Sequence, residues 1–298
     1  MVSILIPVFN EDVRALAHEL STIGANLSEP VEIIFLDDGS HADFKVINAE
    51  IINLPFVDYS EAERNYGRSG IRNKLAAKAA GEWLWFLDCD SRILNNQNIL
   101  VEFIKHAEKN KIISGGRIYQ EEPPAEIRKI LHWKWGSERE LIDPISRMKD
   151  PVNHFLSNNF FIHKSAFESI RFDEGLFGYG YEDTLFAAEA VKQKIQIIHI
   201  NNPVLHDGLE PTDQFLKKIE QSLDNLFRLK DLCQEKKIPF PVKSKLVLAY
   251  RILRMPVIYQ LLGNWFVRNK NIWRIQLNGP NPSLKTFDAW RLSCLLSS

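Results

Sequence analysis

Three of the acidic pairs in the sequence lie at the ends of predicted strands or at the start of a predicted helix, and each could bind a cation, a sugar hydroxyl or a proton. Asp88 and Asp90 follow the apolar run 83–87, and residues two apart in extended backbone point to the same side. Neighbouring carboxylates repel each other unless a cation lies between them, and Mg²⁺ and Mn²⁺ prefer oxygen ligands. This pair is therefore a candidate site for a divalent metal and a diphosphate, although a solvated turn has the same composition.

The other two pairs are suited to different chemistry. Asp37 and Asp38 end the second apolar run, where carboxylates can accept hydrogen bonds from a ribose or a base, or can cap a turn. Glu182 and Asp183 follow the loop GYGY at the start of a predicted helix. Acidic residues are favoured at any helix N-terminus. A carboxylate beside a mobile, glycine-containing loop could also act as a general base.

One histidine could complete the first of these sites. His206 follows a predicted strand in the segment NPVLHDGLE. A lone histidine is most often structural, but a neutral imidazole could add a ligand to a metal site begun by Asp90. The chain lacks the motifs of three other kinds of site: it contains no GxxxxGK[ST] phosphate loop, no GxSxG nucleophile elbow and no dinucleotide-binding GxGxxG after its first strand.

The elements that must position these residues alternate between strand and helix. Apolar runs predict strands at 2–8, 31–36, 51–57, 83–87, 112–118, 159–163 and 195–200. Helical spacing predicts helices at 12–27, 67–80, 99–109, 182–194 and 212–233. This order is typical of an α/β fold with a mostly parallel sheet flanked by helices, in which ligands bind at the carboxyl ends of the strands.

Composition narrows the class of protein. The 298 residues are 45% hydrophobic and 25% charged, which is ordinary for a globular protein, and a net charge of -1 argues against nucleic-acid binding. The three cysteines are far apart and indicate neither disulfides nor a zinc site. No secretory signal is recognised, and no apolar stretch reaches the roughly 18 residues that span a bilayer. We therefore expect a cytoplasmic protein.

The near-neutral charge conceals an uneven distribution. Residues 243–298 contain nine basic residues and one acidic residue, a formal charge of +8, which leaves -9 for the remainder. Aromatic and aliphatic residues alternate with these cations over 243–278. The pattern fits a helix at an anionic membrane surface, and it fits equally a helical cap on the body of the protein with its cations in solvent. The last residues, 279–298, show little periodicity and are expected to be poorly ordered.

Five segments, taken in order, resemble the family 2 glycosyltransferases. They are ILIPVFNED, IIFLDDGS, ERNYGRSGIRNKLAAKAAGEWLWFLDCDSRI, FDEGLFGYGYEDTLF and NPVLHDGLE. The resemblance covers about residues 1–235 and implies the α/β GT-A fold and inverting transfer from a nucleotide-diphosphate sugar. It predicts a catalytic domain at 1–238, with a donor half (1–118) and an acceptor half (119–238), followed by a helical basic extension at 239–298.

The resemblance also implies a role for each candidate residue. Asp183 matches the catalytic base, and Glu182 lies beside it to hold the acceptor. The residues implied for donor nucleotide binding are Pro7, Phe9, Glu11, Asp37, Asp38, Arg72, Asn73 and Asp88. The residues implied for binding a divalent metal, Mn²⁺ or Mg²⁺, are Asp88, Asp90 and His206.

The expected activity follows from these roles. We expect a hexosyl- or N-acetylhexosaminyltransferase of polysaccharide biosynthesis that uses a UDP-sugar and a glycan or lipid-linked glycan acceptor. Membrane attachment through 243–278 would place it on the inner face of the membrane, and no nucleic-acid partner is expected. The alternative is a non-catalytic nucleotide-sugar or glycan-binding protein of the same fold at the membrane.

Overall fold

A computed structural model of the protein describes residues 1–94, 98–242 and 244–297. Lys243, the first residue of the predicted membrane-binding segment, therefore lies outside the described residues. The strands are β1 (Val2–Val8), β2 (Val31–Asp37), β3 (Val57–Glu61), β4 (Trp83–Leu87), β5 (Ser91–Arg92), β6 (Lys111–Ser114), β7 (Arg117–Ile118), β8 (Asn159–His163), β9 (Gln196–His199) and β10 (Val204–His206).

The helices cover most of the rest. They are α1 (Arg14–Ala25), α2 (Ala42–Asn48), α3 (Gly67–Lys78), α4 (Ile99–Lys105), α5 (Ile130–Trp135), α6 (Pro144–Arg147), α7 (Lys164–Ile170), α8 (Glu182–Lys192), α9 (Thr212–Glu235), α10 (Lys245–Leu253), α11 (Pro256–Ile258), α12 (Asn264–Leu277) and α13 (Leu284–Ser297). A π-helical turn, Tyr259–Gly263, connects α11 to α12.

Seven strands form the main sheet, in the order β3-β2-β1-β4-β8-β6-β9. All neighbours pair in parallel except β8, which is antiparallel to β4 and β6. The mostly parallel sheet predicted from the sequence is thus confirmed. Because β1, β2 and β4 are parallel neighbours, the polar loops that follow them lie at the same edge of the sheet.

Alternate residues of the central strands pack into two apolar cores, one on each face of the sheet. Ile4 and Trp85 belong to a core that includes α1 and α4 residues. Leu5 and Phe86 belong to a second core with residues of α3, α7 and α8. The ring of Phe86 stacks on that of Phe160 in β8, with centroids 4.7 Å apart. Strands buried on both faces explain the continuous apolar runs in the sequence.

A small second sheet positions the predicted histidine. Its order is β5-β10-β7, and His206 of β10 lies opposite Ser91 of β5 in an antiparallel pair. The predicted strand 112–118 is wrong as one element, because it divides into β6 and β7, which belong to different sheets. The break falls at Gly115 and Gly116, where the backbone turns with a φ of +87° at Gly116.

Two other expectations from the sequence are wrong. Residues 51–57 do not form a strand. Ile51 belongs to a 3-10 helix, Ala49–Asn53, in which its side chain is buried, and β3 begins only at Val57. Residues 284–297 are not poorly ordered but form α13, in which Phe287 and Trp290 are fully buried. A helix buried around much of its circumference has little amphipathic periodicity, which is why the pattern was weak.

The chain divides into two compact units. Unit 1 comprises Met1–Ile118, Ile142–Phe177 and Glu182–Gly208, and it contains both sheets. Unit 2 comprises Tyr119–Leu141, Gly178–Tyr181 and Leu209–Ser298.

In unit 2 the predicted basic extension shares an apolar core with α9, where Phe215 packs with Phe287 and Trp290. Among the described residues no single helix is long and apolar enough to cross a bilayer. Lys245–Leu253 and Pro256–Leu277 meet that length and composition only as a pair, bent by 89° at the break between them.

Candidate active site

A buried arginine orients the first acidic residue of the loop after β4. Arg72 lies in α3 with only 2% of its side chain exposed, and its Nη2 donates to Asp88 Oδ1 at 2.5 Å. Its Nη1 donates to the carbonyl of Arg68 at 3.1 Å, and the guanidinium lies over the ring of Phe172. These contacts fix the position of Asp88 at the carboxyl end of the strand.

The second acidic residue of this loop meets the predicted histidine. Asp90 Oδ1 is shielded from solvent, accepts no well-formed hydrogen bond, and lies 3.4 Å from His206 Nδ1. Burial acts to raise the pKa of Asp90, but the positive charges of His206, Arg68 and Arg117 outweigh it and hold the pKa below its usual range. Gly208 leaves room for the Asp90 side chain, because a Cβ at position 208 would collide with Asp90 Oδ2.

The residues around Asp90 fit a divalent metal that has only a few protein ligands. The shielded carboxylate oxygen of Asp90 and an imidazole nitrogen of His206 lie 3.4 Å apart. The carboxylate suits either Mn²⁺ or Mg²⁺, and a neutral imidazole suits Mn²⁺ better than Mg²⁺. Within the described ranges no three His, Cys, Asp or Glu side chains are grouped closely enough to hold an ion. The remaining ligands would have to be waters and substrate phosphates, as is common for nucleotide-associated Mg²⁺.

The loop after β1 adds another carboxylate to this site. Burial and the negative charges of Asp90 and Asp207 raise the pKa of Glu11 to about 7. Pro7 lies near the end of β1, and the ring of Phe9 is half-exposed at the loop that follows. Both residues therefore lie at the carboxyl edge of the sheet.

The two acidic residues at the end of β2 accept hydrogen bonds mostly from backbone N–H groups. Asp37 is fully buried, and its Oδ1 accepts from the backbone N–H groups of Gly39 and Ser40. Asp38 accepts from the backbone N–H groups of Tyr66 (2.6 Å) and Gly67 (2.9 Å), at the start of α3. Burial nevertheless raises the pKa of Asp38 to about 6. Asp37 thus holds the turn, and Asp38 also caps the helix that carries Arg72.

Asn73 connects α3 to the segment FDEG. Its side-chain amide exchanges two hydrogen bonds with the backbone of Phe172, and its Nδ2 also donates to Glu174 Oε1 at 2.9 Å. The whole side chain is engaged in these contacts, so the structure gives Asn73 a positioning function beside the site.

The third acidic pair begins α8. Asp183 Oδ1 accepts from the backbone N–H of Thr184 at 2.7 Å and from its hydroxyl at 3.3 Å. Burial and the adjacent charge of Glu182 raise the pKa of Asp183 to about 7, despite these hydrogen bonds. Glu182 is almost fully buried and lies 3.6 Å from Arg68 Nη1. A carboxylate that titrates near neutral pH is suited to proton transfer.

Three charged residues of the site were missed by the sequence analysis. Arg68 contacts Glu182 and also acts on Asp90. Arg117 acts electrostatically on both Asp90 and Asp183. The third residue is Asp207, which directly follows His206. Arg68 precedes Arg72 by four residues, so that α3 presents both on one side. Arg68 and Asp207 could therefore have been found by their spacing from predicted site residues, whereas Arg117 has no such signal.

The mostly parallel sheet flanked by helices agrees with the GT-A fold expected from the sequence. The chain belongs to glycosyl transferase family 2, whose sequence model matches residues 3–171. It is 30% identical over 139 residues to an uncharacterized glycosyltransferase of Haemophilus influenzae. That alignment covers 43% of this chain and 46% of the relative, so the chain matches about half the length of that curated relative. The family expected from the sequence is confirmed.

Solved structures agree with this fold. The mannosyltransferase PcManGT from Pyrobaculum calidifontis, in complex with GDP-Man and Mn²⁺, has a TM-score of 0.59 at 14% identity over 99% of this chain and 85% of that one. Glucosyl-3-phosphoglycerate synthase from Mycobacterium tuberculosis, with Mn²⁺, UDP and glucosyl-3-phosphoglycerate, scores 0.50 at 17% identity over 74% and 78%. S. aureus TarS 1–349 with UDP scores 0.50 at 16% identity over 98% and 90%.

Proposed function

We propose that the protein transfers one hexosyl or N-acetylhexosaminyl unit from a nucleotide-diphosphate sugar, with UDP as the carrier, to a hydroxyl group of a glycan or a lipid-linked glycan precursor, with inversion. One observation carries the proposal. Arg68 and Arg117 act on Asp90, and the same two cations act on Glu182 and Asp183 respectively. The proposed donor-side and acceptor-side carboxylates of unit 1 therefore belong to one electrostatic site.

The proposed chemistry is a single displacement. Asp183 accepts the proton of the acceptor hydroxyl, and a pKa of about 7 lets it remain ionised near neutral pH while still being basic enough to take that proton. The oxygen attacks the anomeric carbon from the face opposite the diphosphate, so the configuration inverts. Glu182, held by Arg68, orients the acceptor.

The donor is bound by the strand-end loops. Pro7, Phe9, Glu11 and Asp38 line the nucleotide pocket, and Asp88, fixed by Arg72, contacts the ribose or diphosphate. Asp90 and His206 would hold the divalent metal. When bound, Mn²⁺ or Mg²⁺ at this site stabilises the negative charge of the departing diphosphate. UDP in two of the three compared complexes is in keeping with the proposed carrier.

The proposed cellular role is polysaccharide biosynthesis at the inner face of the membrane. The enzyme would be made in the cytoplasm, where nucleotide sugars are used, and would meet a lipid-linked acceptor at the membrane surface. Nucleic acid has no part in this role.

Release of nucleoside diphosphate tests the proposal. The purified chain is incubated with Mn²⁺ and a panel of UDP-, GDP- and dTDP-sugars, with and without acceptor glycans, and thermal stabilisation by each donor is measured in parallel. We expect one donor to bind and to turn over, and Asp183→Asn to lower turnover about a hundredfold to ten-thousandfold while donor binding persists. Asp43→Asn, at an exposed site in α2, is the matched control.

Two results would contradict the proposal. Donor binding without turnover under every acceptor condition would favour the non-catalytic alternative. Loss of donor binding in Asp183→Asn as large as the loss of turnover would remove the assignment of Asp183 as the base. The anomeric configuration of the product, measured by NMR, tests inversion separately.

A further inference from the structure

The outer surface of α10–α12 exposes a dense group of large apolar side chains. Nine of them lie within residues 245–277, whereas the other exposed large apolar residues are spread over the rest of the described chain. We call this group the apolar face: Leu248, Ile252, Met255, Val257, Leu261, Leu262, Trp265, Ile272 and Ile275. Single exposed apolar residues are normal, but a contiguous set marks a surface that binds something apolar.

The spacing of four of these residues places them along one side of Pro256–Leu277. Leu261, Trp265, Ile272 and Ile275 recur at intervals that place them along one stripe of the segment, and Arg268 lies in the same stripe. The opposite side is occupied within unit 2, since Leu277 is fully buried in the core with α9 and α13. Leu253 packs likewise against residues of α13. The residues of the apolar face therefore point away from the apolar core of unit 2.

The charges on these helices indicate what the face binds. Residues 245–277 contain six basic residues and no acidic residue. Lys270 and Arg274 pair with carboxylates of α9. Among the described residues, Arg251, Arg254 and Arg268 form no ion pair and are exposed. A second copy of the chain on this face would bring like charges together, whereas a bilayer with anionic headgroups would neutralise them.

The geometry of the segment suits the bilayer surface. The two helical parts meet at 89°, and neither part alone is long and apolar enough to cross a membrane. A cavity of about 300 Å³ shares Arg254 and Pro256 with this region, and its other lining residues are Tyr250, Tyr259, Leu295 and Leu296. One guanidinium, two tyrosines and apolar walls match the headgroup and upper acyl region of a phospholipid.

We propose that α10–α12 form a docking surface for an anionic lipid bilayer. The apolar face lies among the upper acyl chains, and the arginines contact headgroup phosphates. The segment lies in the interface and does not cross the membrane. This binding does not depend on sugar transfer, so the lipid-binding test is independent of the proposed enzymatic activity.

Vesicle binding by the full chain tests the proposal. Sedimentation is measured with phosphatidylcholine vesicles and with vesicles containing about one third phosphatidylglycerol, and the tryptophan emission of the parent is compared with that of Trp265→Phe. We expect the anionic vesicles to bind at least about tenfold more tightly, with a blue shift, and added salt to weaken binding. The double variant Arg251→Gln/Arg268→Gln should weaken it about thirtyfold.

Apolar variants separate lipid insertion from simple charge attraction. Leu261→Ser/Ile275→Ser changes residues that are 73% and 74% exposed, so the fold should be retained, and binding should fall about tenfold or more. Ile145→Ser, 78% exposed in α6, is the matched control and should bind as the parent does. Equal binding to neutral and anionic vesicles would overturn the proposal. So would a dimer in solution that Leu261→Ser/Ile275→Ser dissociates while vesicle binding is absent from the parent.

Discussion

Asp183→Asn should make the protein more stable at alkaline pH although it removes the proposed base. Burial and Glu182 raise the pKa of Asp183 from 3.8 to about 7, so the folded state holds this proton more tightly than the unfolded chain does. A raised folded pKa gives a contribution to stability that is complete below about pH 4 and is lost as the pH rises through about 7. Asparagine is never charged, so the variant does not lose this contribution to stability as the pH rises.

The size of the effect follows from the two pKa values. At about pH 8 the carboxylate stays ionised on folding, which costs about 4 kcal/mol; at about pH 5 it must take up a proton on folding, which costs about 2 kcal/mol. Asn Oδ1 can still accept the two hydrogen bonds that Thr184 donates, whereas hydrogen bonds that its new Nδ2 group fails to make would subtract about 1–3 kcal/mol from the gain at both pH values. We therefore expect the free energy of unfolding to increase in the variant, by more at pH 8 than at pH 5.

Urea unfolding at both pH values measures this difference, with turnover recorded on the same samples. Asp43→Asn controls for removal of an exposed charge. A variant less stable than the parent at pH 8, or a gain equal at both pH values, would refute the reasoning that a partly buried carboxylate, repelled by Glu182, lies at the start of α8. An intact turnover rate would separately refute its use as the base.

Three other predictions concern the same site. Because the proposed base must be ionised, kcat/KM should fall about tenfold for each pH unit below about 7, and a rate profile that is flat down to pH 5 would contradict this. Arg72→Met leaves Asp88 without its buried partner and should lower the free energy of unfolding by about 3–5 kcal/mol in urea titrations, whereas Lys78→Met, which breaks an exposed pair, should cost less than about 1 kcal/mol. Gly208→Ala places a methyl group against Asp90 and should weaken Mn²⁺ binding at least about tenfold by calorimetry with the circular dichroism unchanged; unaltered binding would remove Asp90 from the proposed ligands.

Much of the fold could be predicted because its signals are local. The strand of Trp83–Leu87 was predicted to the residue, since a buried strand reads as an unbroken apolar run between polar boundaries. The helix containing Phe287 and Trp290 was missed, because burial on most sides removes the periodicity by which helices are recognised. Enclosure therefore makes a short strand easier to recognise in the sequence, as an unbroken apolar run, and makes a helix harder to recognise, because it removes the helical period.

The site divides in a similar way. The acidic pairs at Asp88 and Asp183 could be found because residue type and adjacency are visible in one dimension. The hydrogen bonds that engage Asn73 and Asp37 could not, because their partners are backbone groups whose position depends on tertiary structure. Arg117 is the same kind of case: its charge reaches Asp90 only through the small second sheet.

The pairing of β10 with β5 has a consequence for the order of assembly. His206 reaches Asp90 only when β10 adds to a strand that was synthesised far earlier, opposite Ser91. A nascent chain can complete β1 to β4 and their helices while the second proposed ligand is still unsynthesised, because chains fold from the N-terminus as they emerge. Affinity for metal would then arise late in biogenesis. A truncated chain that lacks β10 would have the loops proposed to bind the nucleotide but only one of the two proposed metal ligands, Asp90 without His206.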